Sequence, residues 1–202
     1  MKTIILSIAT VILFTLTTTT QSQAATRNNN VATVLTNVTN FSNIEVSGNV
    51  EVYLSTGENN VKVYDSYYDQ NALVQEQNGT LRISSYKNEK LVVWVTVADL
   101  RSITASDNAT IKSFGKLSAI ELTVNLNDHA SAQLDVDANI ATITLNDNAK
   151  AKLSGYADQS SIEVSKMAHL NTAKLEGAKT VNRKANIATT ATVQNDELAE
   201  VE

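Results

Sequence analysis

One four-residue phrase is written four times between residues 103 and 170, and it limits the possible folds more than any other feature of the chain. It reads Ser106-Asp107-Asn108-Ala109, Asn127-Asp128-His129-Ala130, Asn146-Asp147-Asn148-Ala149 and Ser165-Lys166-Met167-Ala168. The alanines lie 21, 19 and 19 residues apart (130−109, 149−130, 168−149), and apolar alternation such as Leu122, Val124, Leu126 or Ile143, Leu145 precedes the phrases. A unit this short cannot bury an apolar face alone, so it must stack on copies of itself. The rungs so defined cover 103–117, 122–136, 143–153 and 162–175, with a degraded fifth over 181–193.

Parity says what the phrase does. In the series Leu122, Val124, Leu126, Asp128, Ala130, an unbroken strand would point Asp128 into the core with its apolar neighbours. Burying a lone carboxylate is costly enough that the strand has to break there. Each phrase therefore marks a corner. Stacking places Asp107, Asp128 and Asp147 in one column at about 4.8 Å per rung. Three aligned carboxylates would suit calcium, a hard cation that takes oxygen ligands. The alternative is that each Asp caps its own corner through backbone N–H groups. Lys166 takes the next place in the column and could neutralise Asp147 from the adjacent rung.

The rest of the chain agrees with an all-β fold. Proline is absent among the 202 residues, and Val, Ile and Thr recur in alternation with no sustained helical period. Phe41, Ile44 and Val46 lead to Gly48; Val50, Val52 and Leu54 lead to Gly57; Val61 and Val63 follow. These short runs between turn formers read as an antiparallel meander over 41–98. Asn78-Gly79 is the sharpest hairpin signal, because a type I′ turn needs positive φ at both central residues. Residues 91–97, nearly all apolar and carrying Trp94, read as a strand covered on both faces.

The ends are of another kind. Lys2, an apolar run over 4–16 and the small residues Ser22-Gln23-Ala24-Ala25 have the form of a cleaved secretory signal, assigned to 1–24. That run is too short to span a bilayer comfortably. Residues 25–40 form a linker or first strand, and 196–202, with four acids, an acidic tail. Between them lies a single domain, 41–195, of which 99–195 holds the repeated rungs. The chain has no cysteine, so an exported form depends on burial and backbone pairing alone. A formal charge of −5 without a basic cluster argues against nucleic acid as partner.

Phe41, Ile44, Val46, Gly48 and Val50-Glu51-Val52, the hairpin Gly79-Thr80-Leu81-Arg82-Ile83, Val95-Thr96-Val97, the repeated phrases and Leu153-Ser154-Gly155-Tyr156-Ala157 together resemble the bacterial auto-transporter adhesin, head GIN domain family. The resemblance runs from Phe41 to about Val193. It implies a secreted all-β module: antiparallel strands followed by a short right-handed parallel β-helix-like solenoid. In that family the phrase is usually Ser-Gly-Ala, so Asn108, His129 and Asn148 stand at its glycine and are expected to take the positive φ of the corner, which Asn and His tolerate. Met167 is the departure.

Catalytic signatures are missing. His129 and His169 lack zinc-ligand spacing, and the sequence contains no nucleophile elbow, phosphate loop or metalloprotease motif. Asp135 and Asp137 face Lys150 and Lys152 one rung later, which would give exposed ion pairs. Tyr67 and Tyr68, in a polar stretch, are candidate recognition residues, since exposed aromatics grip sugars or protein surfaces. The function expected is a non-catalytic, exported, adhesin-like module, periplasmic, outer-membrane-associated or extracellular. Its partner would be a cell-surface glycan or an envelope protein, and its open ends could pair with a second copy. The alternatives are a polysaccharide-active β-helix enzyme and a purely structural envelope protein.

Overall fold

The computed structural model describes residues 33–35, 38, 40–64 and 72–183. The proposed signal, the acidic tail and Tyr67-Tyr68 lie outside them. The described residues form twelve strands in one mixed sheet and no helix. The first seven are β1 (Thr33–Val34), β2 (Asn43–Gly48), β3 (Val50–Thr56), β4 (Asn60–Val63), β5 (Ala72–Gln77), β6 (Thr80–Ser85) and β7 (Leu91–Val97). Then come β8 (Ser102–Ala105), β9 (Thr110–Leu126), β10 (Ser131–Leu145), β11 (Lys150–Val164) and β12 (His169–Arg183).

From β8 onward the chain climbs by parallel pairing. Ser131 lies opposite Lys150, and Lys150 opposite His169, each 19 residues on. The same offset holds through Leu145 and Val164. Parallel register puts like residues over like. One inward column runs Leu81, Ile44, Ile103, Val124, Ile143, Ile162 and Val181. Its members from Leu81 to Ile162 are essentially inaccessible to solvent and belong to one continuous core. Burial of such side chains contributes roughly 1.5–3 kcal/mol each and is the main term favouring the fold.

The first step of the repeat is 21 residues because β9 contains a bulge. Lys112 pairs with Gln133 and Lys116 with Asp135, so three residues, Ser113-Phe114-Gly115, stand against the single Leu134. Gly115 turns the strand there with a φ of 83°.

The first half differs from the meander read in the sequence. Only β5 with β6, β4 with β7 and β1 with β4 are antiparallel. Strands β2 and β3 do not pair with each other: β2 lies in parallel between β6 and β8, and β3 in parallel between β7 and β9. The reason is the connection. Gly48, at φ 82°, turns the chain through a corner, and its place allows no side chain, since a Cβ would stand 2.1 Å from the Ser85 carbonyl oxygen. A two-residue Gly-Asn link can be written for a hairpin or a corner. Here it is a corner, and the rung it makes stacks between the β6–β7 rung and the β8–β9 rung. The hairpin expected at Asn78-Gly79 is present, with φ of 52° and 75°.

Gly155 gives a direct test of rung packing. It sits at φ 96°, and an added Cβ would be 2.1 Å from the Val136 carbonyl oxygen of the neighbouring rung. Gly79 has a positive φ too but open space around it. Gly79→Ala should cost about 1–2 kcal/mol, the left-handed penalty alone. Gly155→Ala should cost more than about 3 kcal/mol, because backbone must also move. Urea unfolding of both variants checks this; equal costs would mean the rungs are not so closely packed.

Candidate functional site

The repeated phrase forms the corners. In each, the alanine N–H donates to the first residue's carbonyl: Ala109 to Ser106 (3.2 Å), Ala130 to Asn127 (3.0 Å), Ala149 to Asn146 (3.0 Å) and Ala168 to Ser165 (3.2 Å). This closes a four-residue turn. The alanines are buried, which accounts for their small size. The left-handed residue is Asp107 (φ 59°), Asp128 (φ 55°) and Asp147 (φ 50°), one place earlier than the expected Asn108, His129 and Asn148. Asp tolerates this conformation nearly as well as Asn. Because the glycine-equivalent place does not carry the positive φ, Met167 fits; the fourth corner closes with the same hydrogen bond, but without a left-handed residue, since Lys166 does not take the positive φ of the three Asp.

The column of acids is arranged as a ladder. The Gly48 N–H donates to Asp107 Oδ2 (3.0 Å), and the Asp107 N–H donates to Asp128 Oδ2 (3.2 Å). Each of these carboxylates thus caps the corner one rung back. Asn146 Nδ2 donates to Asn127 Oδ1 (2.8 Å), a side-chain link between corners of the same kind. Among the described residues, no three His, Cys, Asp or Glu side chains converge in an arrangement able to hold a metal ion.

A different constellation stands on the outer face of β3, β7 and β9. Strand β7 is not sealed on both sides: Leu91, Val93, Val95 and Val97 are buried, while Val92, Trp94 and Thr96 alternate outward and are half-buried. Tyr53, opposite Trp94 in register, stacks on it at 5.0 Å between ring centroids and 22° between planes. Tyr64 meets the indole edge-on at 6.4 Å, and Phe114 approaches it at 5.5 Å. Phe114 is raised by the β9 bulge and is 67% exposed. Each such ring pair contributes roughly 0.5–1.5 kcal/mol beyond area burial. The result is an aromatic platform open to solvent.

Beside it, Lys112 Nζ lies 2.6 Å from Glu51 Oε1 and 5.6 Å from the Tyr53 ring centroid, a cation–π distance. The Tyr53 hydroxyl donates to the same Glu51 oxygen (3.1 Å), and Lys90 is 3.7 Å from the other. The hydrogen bond from Lys112 holds the Glu51 carboxyl below its ordinary value, against partial burial, with the Tyr53 hydroxyl and the two lysine charges assisting. Reciprocally, Glu51 raises the Lys112 ammonium. This half-exposed network orients Lys112 and Tyr53.

Register extends the platform into a trough of about 310 Å³ across β9 to β12. One wall is the column Thr110, Ser131, Lys150 and His169, which continues from Glu51. The other is Lys112, Gln133, Lys152 and Asn171, which continues from Tyr53 and Trp94. Between them Ile111, Ala132 and Ala151 turn their side chains into the core, so their backbone forms the floor. At four strands wide the trough is about 14 Å long. The ion pairs expected between Lys150, Lys152 and the acids of the preceding rung do not form. Lys150 and Lys152 stand opposite Ser131 and Gln133, whereas Asp135 and Asp137 stand opposite Ser154 and Tyr156.

The site therefore differs from the residues singled out in the sequence. Asp107, Asp128 and Asp147 stack as corners, His169 enters the trough wall, and Tyr67 and Tyr68 fall outside the described residues. Trp94, Phe114 and the lysine columns were missed. Only Phe114 had a signal, in the 21-residue step, whose two additional residues carry an exposed aromatic.

Fold and surface together define an all-β protein of stacked rungs with an aromatic, lysine-lined outer face. The chain belongs to the family described as "Putative auto-transporter adhesin, head GIN domain", whose model matches residues 40–201. Its fold is shared with solved structures described as putative adhesins. One, from Parabacteroides distasonis, is 13% identical, covers 76% of this chain and 77% of the other, and has a TM-score of 0.56. Another, from Parabacteroides merdae, is 16% identical, with 77% and 78% covered and a TM-score of 0.57. A protein from P. distasonis described as a putative lipid binding protein also has a TM-score of 0.57, at 11% identity and with 77% and 79% covered. No curated protein matches this chain. Among the described residues, no helix is long and apolar enough to cross a membrane.

The corner ladder can be told apart from a cation site by substitution. Asp128→Ala removes the acceptor of the Asp107 N–H and a residue suited to positive φ, and should lower stability by about 1–3 kcal/mol. Asp128→Asn retains both features and should stay within about 0.5 kcal/mol of the parent. Neither calcium nor chelator should move the thermal midpoint of the parent. A midpoint that rises with calcium and is lost in Asp128→Asn would make the column a cation site.

Proposed function

We propose that this protein is a non-catalytic, exported binding module of the cell envelope or cell exterior, and that its ligand is a glycan gripped by the Trp94–Tyr53–Phe114 platform. The observation that carries this reading is the platform itself: Tyr53 and Phe114 both packed against Trp94 on an outward face, with Phe114 67% exposed on a bulge. Apolar packing alone would favour covering Phe114, and solvent-facing aromatics beside hydrogen-bonding side chains are a common means of holding sugar rings. The family's description as adhesins agrees with binding rather than turnover. The form of a secretory signal expected over 1–24 supports export, and a chain without cysteine would be held together there by burial and backbone pairing.

The trough wall contains no carboxylate. Glycoside hydrolysis by the usual route needs two, flanking the scissile bond. We also read the parallel 19-residue steps as a short right-handed solenoid, because crossovers between parallel strands of one sheet take that hand in nearly all cases.

A glycan array probed with the parent protein and with Trp94→Ala and Phe114→Ala tests the function. The parent should retain one glycan class, and each variant should lose about 1–3 kcal/mol of binding, as expected for a lost stacking partner. Phe114→Ala, which gives up one ring pair, should lower the melting midpoint by only a few degrees. Undiminished binding by both variants, or release of reducing ends from the bound glycan, would contradict the reading.

A further inference from the structure

We propose that the trough receives an acidic polysaccharide whose charged sugars alternate with neutral ones, laid across the strands with one end stacked on the aromatic platform. This rests on the glycan reading above and gives that glycan a chemical class and a direction.

Charge is the first support. Lys150 and Lys152 project from alternate places on β11, either side of the inward Ala151, into the two walls of the trough, and among the described residues neither ammonium has an ion-pair partner. Lys112 stands in the same wall as Lys152, held in place by Glu51. On a chain of net charge −5, this strip is a local reversal of sign. A groove of one sign with a protein floor focuses its field and draws in the opposite charge.

Spacing is the second. Lys112 and Lys152 occupy one column two rungs apart, with Gln133 between them. Two inter-strand spacings are about 9.6 Å, close to the length of a disaccharide in an extended chain. The uncharged Gln133 and Ser131 at the intervening rung can donate to and accept from the hydroxyls of a neutral sugar. A polymer with one carboxylate or sulfate per disaccharide thus meets a cation, an amide and a cation in step.

Continuity is the third. The Lys112 column runs on without a break into Tyr53 and Trp94, so a chain following the cations arrives at a stacking surface. A lipid headgroup layer is a poorer fit, because basic membrane-binding segments present clusters of four to eight Lys or Arg. Duplex nucleic acid is disfavoured by the overall acidity.

The test is isothermal titration of the full chain with hyaluronan, in which uronate alternates with a neutral amino sugar. Polygalacturonate, neutral dextran, phosphatidylglycerol vesicles and duplex DNA are the comparison ligands. Hyaluronan should bind most tightly and more weakly as salt is raised. Lys150→Gln/Lys152→Gln should bind it at least about tenfold less tightly, with an unchanged melting midpoint. Lys166→Gln, a corner lysine, should bind as the parent does. Phe114→Ala should weaken binding while leaving its salt dependence intact. Equal binding of polygalacturonate would overturn the alternation. Binding of dextran unaffected by the lysine substitutions would overturn the acidic class while leaving the platform reading standing. Retention of vesicles or DNA in place of hyaluronan would overturn it in favour of that polyanion. Loss of all polysaccharide binding would remove both readings.

Discussion

The structure depends on parallel register. Once Ser131 lies on Lys150 and Lys150 on His169, every residue of a rung is assigned a neighbour above and below, and a one-residue slip would turn the whole apolar set outward. The inward columns form the core, and the outward columns become rows of chemistry at about 4.8 Å intervals. The trough is such a pair of rows. It is not carved by loops; it follows from which residue type each rung places at two outward positions. The corners hold this register, since the buried alanines leave little room at each turn and the carboxylates of Asp107 and Asp128 each tie a corner to the one before it.

Much of the architecture was legible because burying a carboxylate is expensive. Parity alone required a break at Asp128 and Asp147, and the corners are there. What parity could not say was which residue of the phrase turns left-handed. Asp, Asn and His all tolerate that conformation, and the family comparison pointed one place too late. The Gly48-Asn49 corner was hidden for a similar reason: a short Gly-containing link serves hairpin and corner equally, and only the partners β6 and β8, distant in sequence, decide between them. Long-range pairing of this sort leaves no local mark.

The site was the least legible part. Trp94 lies in a nearly continuous apolar run, Val92 and Trp94 included, which hides the alternation that turns it outward. Phe114 stands beside a glycine in a step two residues longer than the others, and the meaning of that length appears only when Lys112 and Lys116 are seen to pair with Gln133 and Asp135. The lysine columns cannot be recognised before the rungs are aligned, because Lys112, Lys150 and Lys152 are scattered over forty positions of sequence. Local charge counts saw an acidic chain, whereas stacking collects the exceptions on one face.

Trp94 is the only tryptophan of the chain, and it lies at the centre of the platform, in contact with Tyr53, Tyr64 and Phe114. Its fluorescence therefore reports on the proposed site without interference from any other indole. Titration with a glycan that the protein binds should shift the emission of Trp94 and shield it from iodide quenching, saturating in step with the binding isotherm. Saturable binding that leaves the Trp94 emission and its quenching unchanged would place the ligand elsewhere and contradict the account.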